Sequence, residues 1–243
     1  TIVVASPHKD GREIEAAMAP GIAELFLWDG PEEDVLARFA GVAASHPEAR
    51  TIVRLTADCP LVDPHGIRTV ARIVASGTID FAWAGGLVNG LDAEAFVPEL
   101  LRDAARLARL PSDREHVTPW MRRTVRRHYR FPCHDHLPPY RWTLDTAEDL
   151  AWLRALAEVV DLTPPGPSPR ELYRLLEEHP HLEREIAHRL PQRPQFRRRT
   201  SGIDGVDPLA PFRKPKPALG VRRGGIRDVI DQRRACALGR PRL

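Results

Sequence analysis

The sequence predicts an α/β fold, a mainly parallel sheet with helices on both faces, and three observations carry that expectation. Short apolar runs alternate with amphipathic stretches over the first 160 or so residues, the signature of a sheet covered on both sides. One such run, residues 51–57, ends abruptly at Asp58, Cys59 and Pro60. Pro60 and Pro64 lack the N–H that a central strand needs, so the run delivers Asp58 at its C-terminal end, the edge where open α/β sheets bind ligands. A second run, residues 140–144, delivers Asp145 just ahead of a helix in the same way.

The elements follow in order. Residues 1–6 (TIVVAS) read as a strand, residues 7–12 as a turn and residues 13–19 as a helix that stops at Pro20 and Gly21. Residues 24–28 form a short apolar strand. Residues 32–45 form a helix whose apolar face carries Val35, Leu36, Phe39, Val42 and Ala43. After the Asp58 run come a helix over residues 64–76 and a strand over residues 79–83, with Gly85, Gly86, Asn89 and Gly90 marking loop and turn. Residues 91–96 alternate with period two and place Asp92, Glu94 and Phe96 on one face. Two acids there suit a cation or hydroxyl groups, although alternation alone favours a solvated strand face. Residues 98–110 are an amphipathic helix.

Residues 112–116 (SDREH) cluster four kinds of polar chemistry ahead of a helix over residues 117–127. Ser112 and Glu115 fit a capping box. Arg114 and His116 go beyond capping and suit anion recognition or proton transfer. Cys133, His134, Asp135 and His136 have a metal-like composition, but Pro132, Pro138 and Pro139 put them in an extended loop with no partner spacing elsewhere, which disfavours a zinc site. Asp145, with Thr143 and Thr146 beside it, repeats the Asp58 arrangement, and the two acids form a pair of prospective metal ligands. The plainer alternative for Asp58 is capping of the turn or helix that follows.

The chain divides into an α/β domain over residues 1–163, terminal helices over residues 164–195 that complete it, and a tail over residues 196–243. The net charge of +3 conceals a split, because residues 197–243 hold 13 Lys and Arg against 4 Asp, and no Glu. The rest is acidic and lacks a basic stripe, so nucleic acid is not an expected partner except through the tail. The tail's Arg, Pro and Gly content favours disorder or non-native read-through over function. No apolar run approaches the roughly 20 residues that span a bilayer, and there is no basic-then-apolar leader. Three well-separated cysteines (Cys59, Cys133 and Cys236) suit a reducing compartment, with the cytoplasm as the expected location.

Five blocks in register, EDVLARF (residues 33–39), RLTADCPLVDP (54–64), GLDAEAF (90–96), SDREHVTP (112–119) and RWTLDTAEDL (141–150), resemble the cytidylyltransferase-like proteins of spore-coat polysaccharide biosynthesis. These are often labelled glycosyltransferase family proteins and are related to the synthetases of CMP-Kdo and CMP-sialic acid. The resemblance spans about residues 1–190. It implies a nucleotide-diphospho-sugar transferase (Rossmann-like) fold and Mg²⁺-dependent transfer of CMP from CTP to a sugar hydroxyl, with release of pyrophosphate. The expected acceptor is an acidic or modified sugar, and a homodimer is allowed. By position, Asp58 and Asp145 match the two Mg²⁺-binding aspartates and are the expected catalytic and metal residues. Asp92 and Glu94 are candidates for the sugar hydroxyls, and Arg114, Glu115 and His116 for the acceptor's anionic group or its proton.

Family members begin with a strand and an Arg- and Lys-bearing nucleotide loop, whereas this sequence begins at what reads as their second strand. The expectation is therefore an N-terminally truncated fold lacking its first βα unit. Two alternatives remain. A glycosyltransferase using a nucleotide-sugar donor would keep an Asp-x-Asp motif, but Asp58 is followed by Cys59 and Pro60. A non-catalytic remnant or binding protein would lack the nucleotide loop altogether.

Overall fold

The structure is a computed structural model, and it describes residues 1–84, 89–130, 140–163 and 166–182. The CHDH segment, the tail, and all but the first residue of the last terminal helix, expected over residues 182–190, lie outside the described residues. In the first 198 residues, which form one compact unit, β1 (Val3–Pro7) leads through a 3₁₀ turn (His8–Asp10) into α1 (Gly11–Ala17) and then β2 (Glu24–Trp28). Next come α2 (Val35–Ser45), β3 (Ile52–Arg54), α3 (Pro64–Ala75), β4 (Phe81–Trp83) and β5 (Glu94–Phe96). The remainder is α4 (Pro98–Leu107), α5 (Pro111–His116), α6 (Pro119–Thr124), β6 (His128–Arg130), α7 (Ala147–Val159) and α8 (Pro169–Glu178). No helix among the described residues is long and apolar enough to cross a membrane.

The strands form two sheets. β1 and β2 pair in parallel, from Val3 opposite Glu24 to Pro7 opposite Trp28. The other four lie in the order β3-β5-β4-β6, with β5 antiparallel to both of its neighbours and β6 parallel to β4. The expectation of a mainly parallel sheet is thus corrected, since this sheet is mixed. The reason is local: the link from β4 to β5 is too short for the dozen or more residues that a parallel crossover requires. β5 consequently turns back and inserts between β3 and β4.

Side-chain alternation then sorts the core. Phe81 and Phe96 stack with ring centroids 6.0 Å apart on the face covered by Leu36 of α2, Leu101 and Ala104 of α4, and Met121 of α6. Ala82, Ala84, Ala93 and Ala95 face the other way, against Val70 and Val74 of α3. The small side chains let that helix lie close to the sheet. α2 packs on both sheets, with Gly41 against Phe26 of β2 and Leu36 and Phe39 against the phenylalanine layer. Among the described residues, β1 pairs only with β2 and β3 only with β5. A third cluster joins Tyr140 and Trp142 to Trp152 and Leu156 of α7 and to Leu172 and Tyr173 of α8.

Three further expectations are corrected. Residues 140–144 make a single bridge, Asn89 with Arg141, in place of a strand. The helix expected over residues 117–127 contracts to α6, because Val117 takes φ 68° and residues 128–130 extend as β6 beside β4. The capping box at Ser112 does not form, since α5 starts at Pro111 with Leu110 as its N-cap and no side-chain cap.

Candidate functional site

The segment after β3 folds into two consecutive turns, closed by Cys59 N–H to the Thr56 carbonyl (3.1 Å) and Val62 N–H to the Cys59 carbonyl (3.3 Å). Asp63, not Asp58, caps α3, accepting from the N–H groups of His65 (2.9 Å) and Gly66 (3.0 Å). This relieves Asp58 of a capping role. Among the described residues its carboxylate meets only the Cys59 thiol, at 3.5 Å, and it faces a cavity of about 160 Å³ lined by Arg54, Thr56, Asp58, Cys59, Asn89, Asp92, Glu94 and Arg122. Burial pushes the Cys59 thiol up to about 11, so it stays protonated near neutrality and is a poor nucleophile.

Glu94 is 3% exposed and fully engaged. Its Oε1 accepts from Thr118 Oγ1 (3.0 Å), Arg122 Nε (3.0 Å) and Arg122 Nη2, and its Oε2 from Arg54 Nη1 (3.0 Å). A buried carboxylate is tolerated when cations and donors satisfy its lone pairs in this way. The Arg122 guanidinium also lies over the Trp83 ring, 5.3 Å from its centroid.

Thr118 reaches Glu94 because Val117 makes a γ-turn, with φ 68° and ψ −55° and Thr118 N–H donating to the His116 carbonyl at 2.7 Å. A β-branched residue at positive φ is strained, and here the strain aims the start of α6 at the cavity. Asp92 shares the Glu94 face of the chain, but it is only partly buried and opens on the cavity. Burial, reinforced by the Glu94 charge, pushes its carboxyl up to about 6, with Arg122 and Arg130 opposing.

The second acid arrives along a different path. Asn89 N–H donates to the Tyr140 carbonyl (3.2 Å), and Trp142 N–H donates to the Asn89 carbonyl (2.7 Å). Leu144 N–H then donates to the Asp58 carbonyl at 2.7 Å, which stitches the Asp145 turn to the Asp58 turn. Asp145 is 47% exposed and accepts from Thr143 Oγ1 (2.7 Å) and from Arg141. Asp149 organises the turn from beneath, taking Asp145 N–H (2.9 Å), Thr146 N–H (2.8 Å) and Arg141 Nη1 (3.2 Å) and closing a capping box with Thr146.

The structure therefore brings Asp58, Asp92 and Glu94 to one cavity and ties Asp145 to its edge through the backbone. It places the 114–116 group elsewhere. Arg114 pairs with Asp34 and donates to the Ala105 carbonyl (2.8 Å), bracing α5 against the start of α2. Glu115 and His116 are exposed and do not line the cavity. Arg54, Asn89, Arg122 and Asp149 were missed in the sequence. Arg54 and Arg122 lie 40 and 28 residues from Glu94, and no local spacing marks such a pairing. Asn89, two residues before the GLD motif's leucine, was read only as a turn residue.

No group of three or more His, Cys, Asp or Glu suited to a metal ion occurs among the described residues. A pair is still enough for Mg²⁺, which binds through one or two carboxylates plus water and phosphate oxygens. Asp58 fits that demand directly. Asp145 fits it only by exchanging its Arg141 contact for the ion.

No protein-family model matches the chain. It is 31% identical over 189 residues to the spore coat polysaccharide biosynthesis protein SpsF of Bacillus subtilis, covering 74% of this chain and 75% of that protein. An uncharacterised protein of Methanocaldococcus jannaschii is 30% identical over 122 residues, 49% of each chain. Among solved structures, a cytidylyltransferase from Leptospira borgpetersenii superposes with a TM-score of 0.63 at 25% identity, over 74% of this chain and 76% of that one. The similarity to SpsF over three quarters of both proteins, together with that shared fold, shows that this chain belongs to the SpsF-type cytidylyltransferase family.

Proposed function

We propose that the chain transfers CMP from CTP to a hydroxyl of a surface-polysaccharide sugar and releases pyrophosphate. The observation that carries this reading is the backbone hydrogen bond from Leu144 to Asp58 (2.7 Å), which joins the two acid-bearing turns beside a polar cavity. Asp58 and Asp145 would hold Mg²⁺ there. When bound, the ion neutralises phosphate charge as an oxygen nucleophile attacks the α-phosphorus in line. The described side chains supply the acceptor half: Asp92 faces the incoming hydroxyl, and Glu94 fixes Arg54 and Arg122 in the wall. A glycosyltransferase reading fits less well, because the acids lie on separate turns and Asp58 is followed by Cys59 and Pro60.

The test is pyrophosphate release from CTP, with Kdo and N-acetylneuraminate as acceptors, in the longest natural form of the chain. Asp58→Asn is expected to abolish Mg²⁺-dependent release while urea unfolding stays cooperative. Full turnover in that variant would remove Asp58 from the metal site.

A further inference from the structure

The cavity holds two carboxylates on the same face, two residues apart, in opposite circumstances. Glu94 is saturated by donors from β3, α6 and the Val117 turn. With both oxygens engaged by two guanidinium groups and a hydroxyl, it has little left to offer a substrate. Asp92 is the reverse. No hydrogen bond from another described residue reaches its carboxylate, and it opens on the cavity into which an acceptor hydroxyl would enter.

We infer that Asp92 is the general base of the transfer, taking the proton from the attacking hydroxyl, and that Glu94 is a positioning residue that builds the cavity wall around it. The inference rests on the transfer reading above and adds a role for each acid. In the step, the acceptor O–H bond breaks and its proton passes to an Asp92 carboxylate oxygen. The same acceptor oxygen forms a bond to the α-phosphorus of the nucleoside triphosphate. The bond from that phosphorus to the oxygen bridging to the β-phosphate breaks, its electron pair leaving with pyrophosphate.

The electrostatics of the cavity agree with this division. Asp92 is flanked by Glu94 on its own segment, Arg122 on α6 and Arg130 on β6. Arg54, Asp58 and Cys59 face the same space. Burial and Glu94 raise the proton affinity of Asp92 to about 6, and the two arginines keep it from rising further. A base poised just below neutral pH is ionised when the substrate arrives and still strong enough to accept a proton.

The experiment measures pyrophosphate release from CTP with Kdo or N-acetylneuraminate between pH 5 and 9, alongside CTP binding by fluorescence. It uses the longest natural form of the chain. In the wild type, kcat/KM is expected to rise with pH through a limb near 6. Asp92→Asn should lower kcat by roughly 100-fold or more, leave KM for CTP within about twofold, leave CTP binding intact and erase the acid limb. Glu94→Gln removes a charge that raises the Asp92 proton affinity, so its limb should move to lower pH, a shift that a purely structural role would not produce. An Asp92→Asn enzyme within threefold of wild-type kcat, or one with its acid limb unchanged, overturns the base assignment alone. A wild-type chain that releases no pyrophosphate with either acceptor overturns the transfer reading, and the base assignment with it.

Discussion

Gly90 is the point at which the candidate site is most exposed to a single atom. It has φ +109°, and a Cβ built there would sit 2.7 Å from both the carbonyl carbon and the carbonyl oxygen of Trp142 and 3.1 Å from the Thr143 nitrogen. All three obstacles are backbone, so no rotamer change relieves the clash. A non-glycine residue in this region of φ/ψ costs about 1–3 kcal/mol. Opening the bridge also removes the Trp142 N–H to Asn89 and Asn89 N–H to Tyr140 hydrogen bonds, each worth about 1 kcal/mol net. Gly90→Ala should therefore cost roughly 3–5 kcal/mol. For a domain of this size that corresponds to a fall in Tm of about 6–20 °C.

Gly77→Ala is the matched control. Its φ is also positive, +73°, but nothing lies within 4 Å of the added methyl, so only the backbone cost of about 1–2 kcal/mol applies. Urea and thermal unfolding of the two variants, followed by circular dichroism, separate close approach from backbone conformation. If Gly90→Ala is destabilised no more than Gly77→Ala, the Asn89–Arg141 bridge does not hold the site together and the argument for a stitched pair of acid turns fails.

Two further outcomes follow from the buried acids. Glu94→Gln leaves the Arg54 and Arg122 guanidinium groups without their shared counter-charge, and loss of one partner from a buried ion pair costs about 3–5 kcal/mol. Chemical denaturation at pH 7 measures it, and a loss under 1 kcal/mol would show that the network adds nothing net. Asp92 gives a pH signature in stability. Its folded proton affinity, about 6, lies above the unfolded value near 3.9, so the folded state binds the extra proton between those limits. Stability must then fall as pH rises from about 4 to 6. Asp92→Asn should remove that fall and be more stable than wild type at pH 7 by up to about 3 kcal/mol. The two proteins should converge below pH 4, and parallel pH–stability curves would contradict the raised proton affinity.

The sequence by itself determined what depends on near neighbours. The helical face of residues 35–43, the strand at residues 24–28 and the prolines around Asp58 are local signals, and each element appears within a few residues of its expected place. The acids of the two loops were legible for the same reason, as polar residues that interrupt apolar runs. The family was legible too, because its blocks survive in order.

Only the tertiary structure decided the rest. The reversal of β5 between β3 and β4 is a pairing choice, and antiparallel and parallel neighbours draw on the same apolar residues. Glu94 reads as half of a solvated face until Arg54 and Arg122 arrive from other elements. Val117 contradicts its own propensity, since packing in the phenylalanine layer and the Thr118–Glu94 bond hold it at a positive φ that no β-branched residue prefers. Arg114 looked like an anion ligand until Asp34, 80 residues away, took its guanidinium. In each case the outcome rests on a partner distant in sequence, and the energy of that contact exists only once the chain has closed around it.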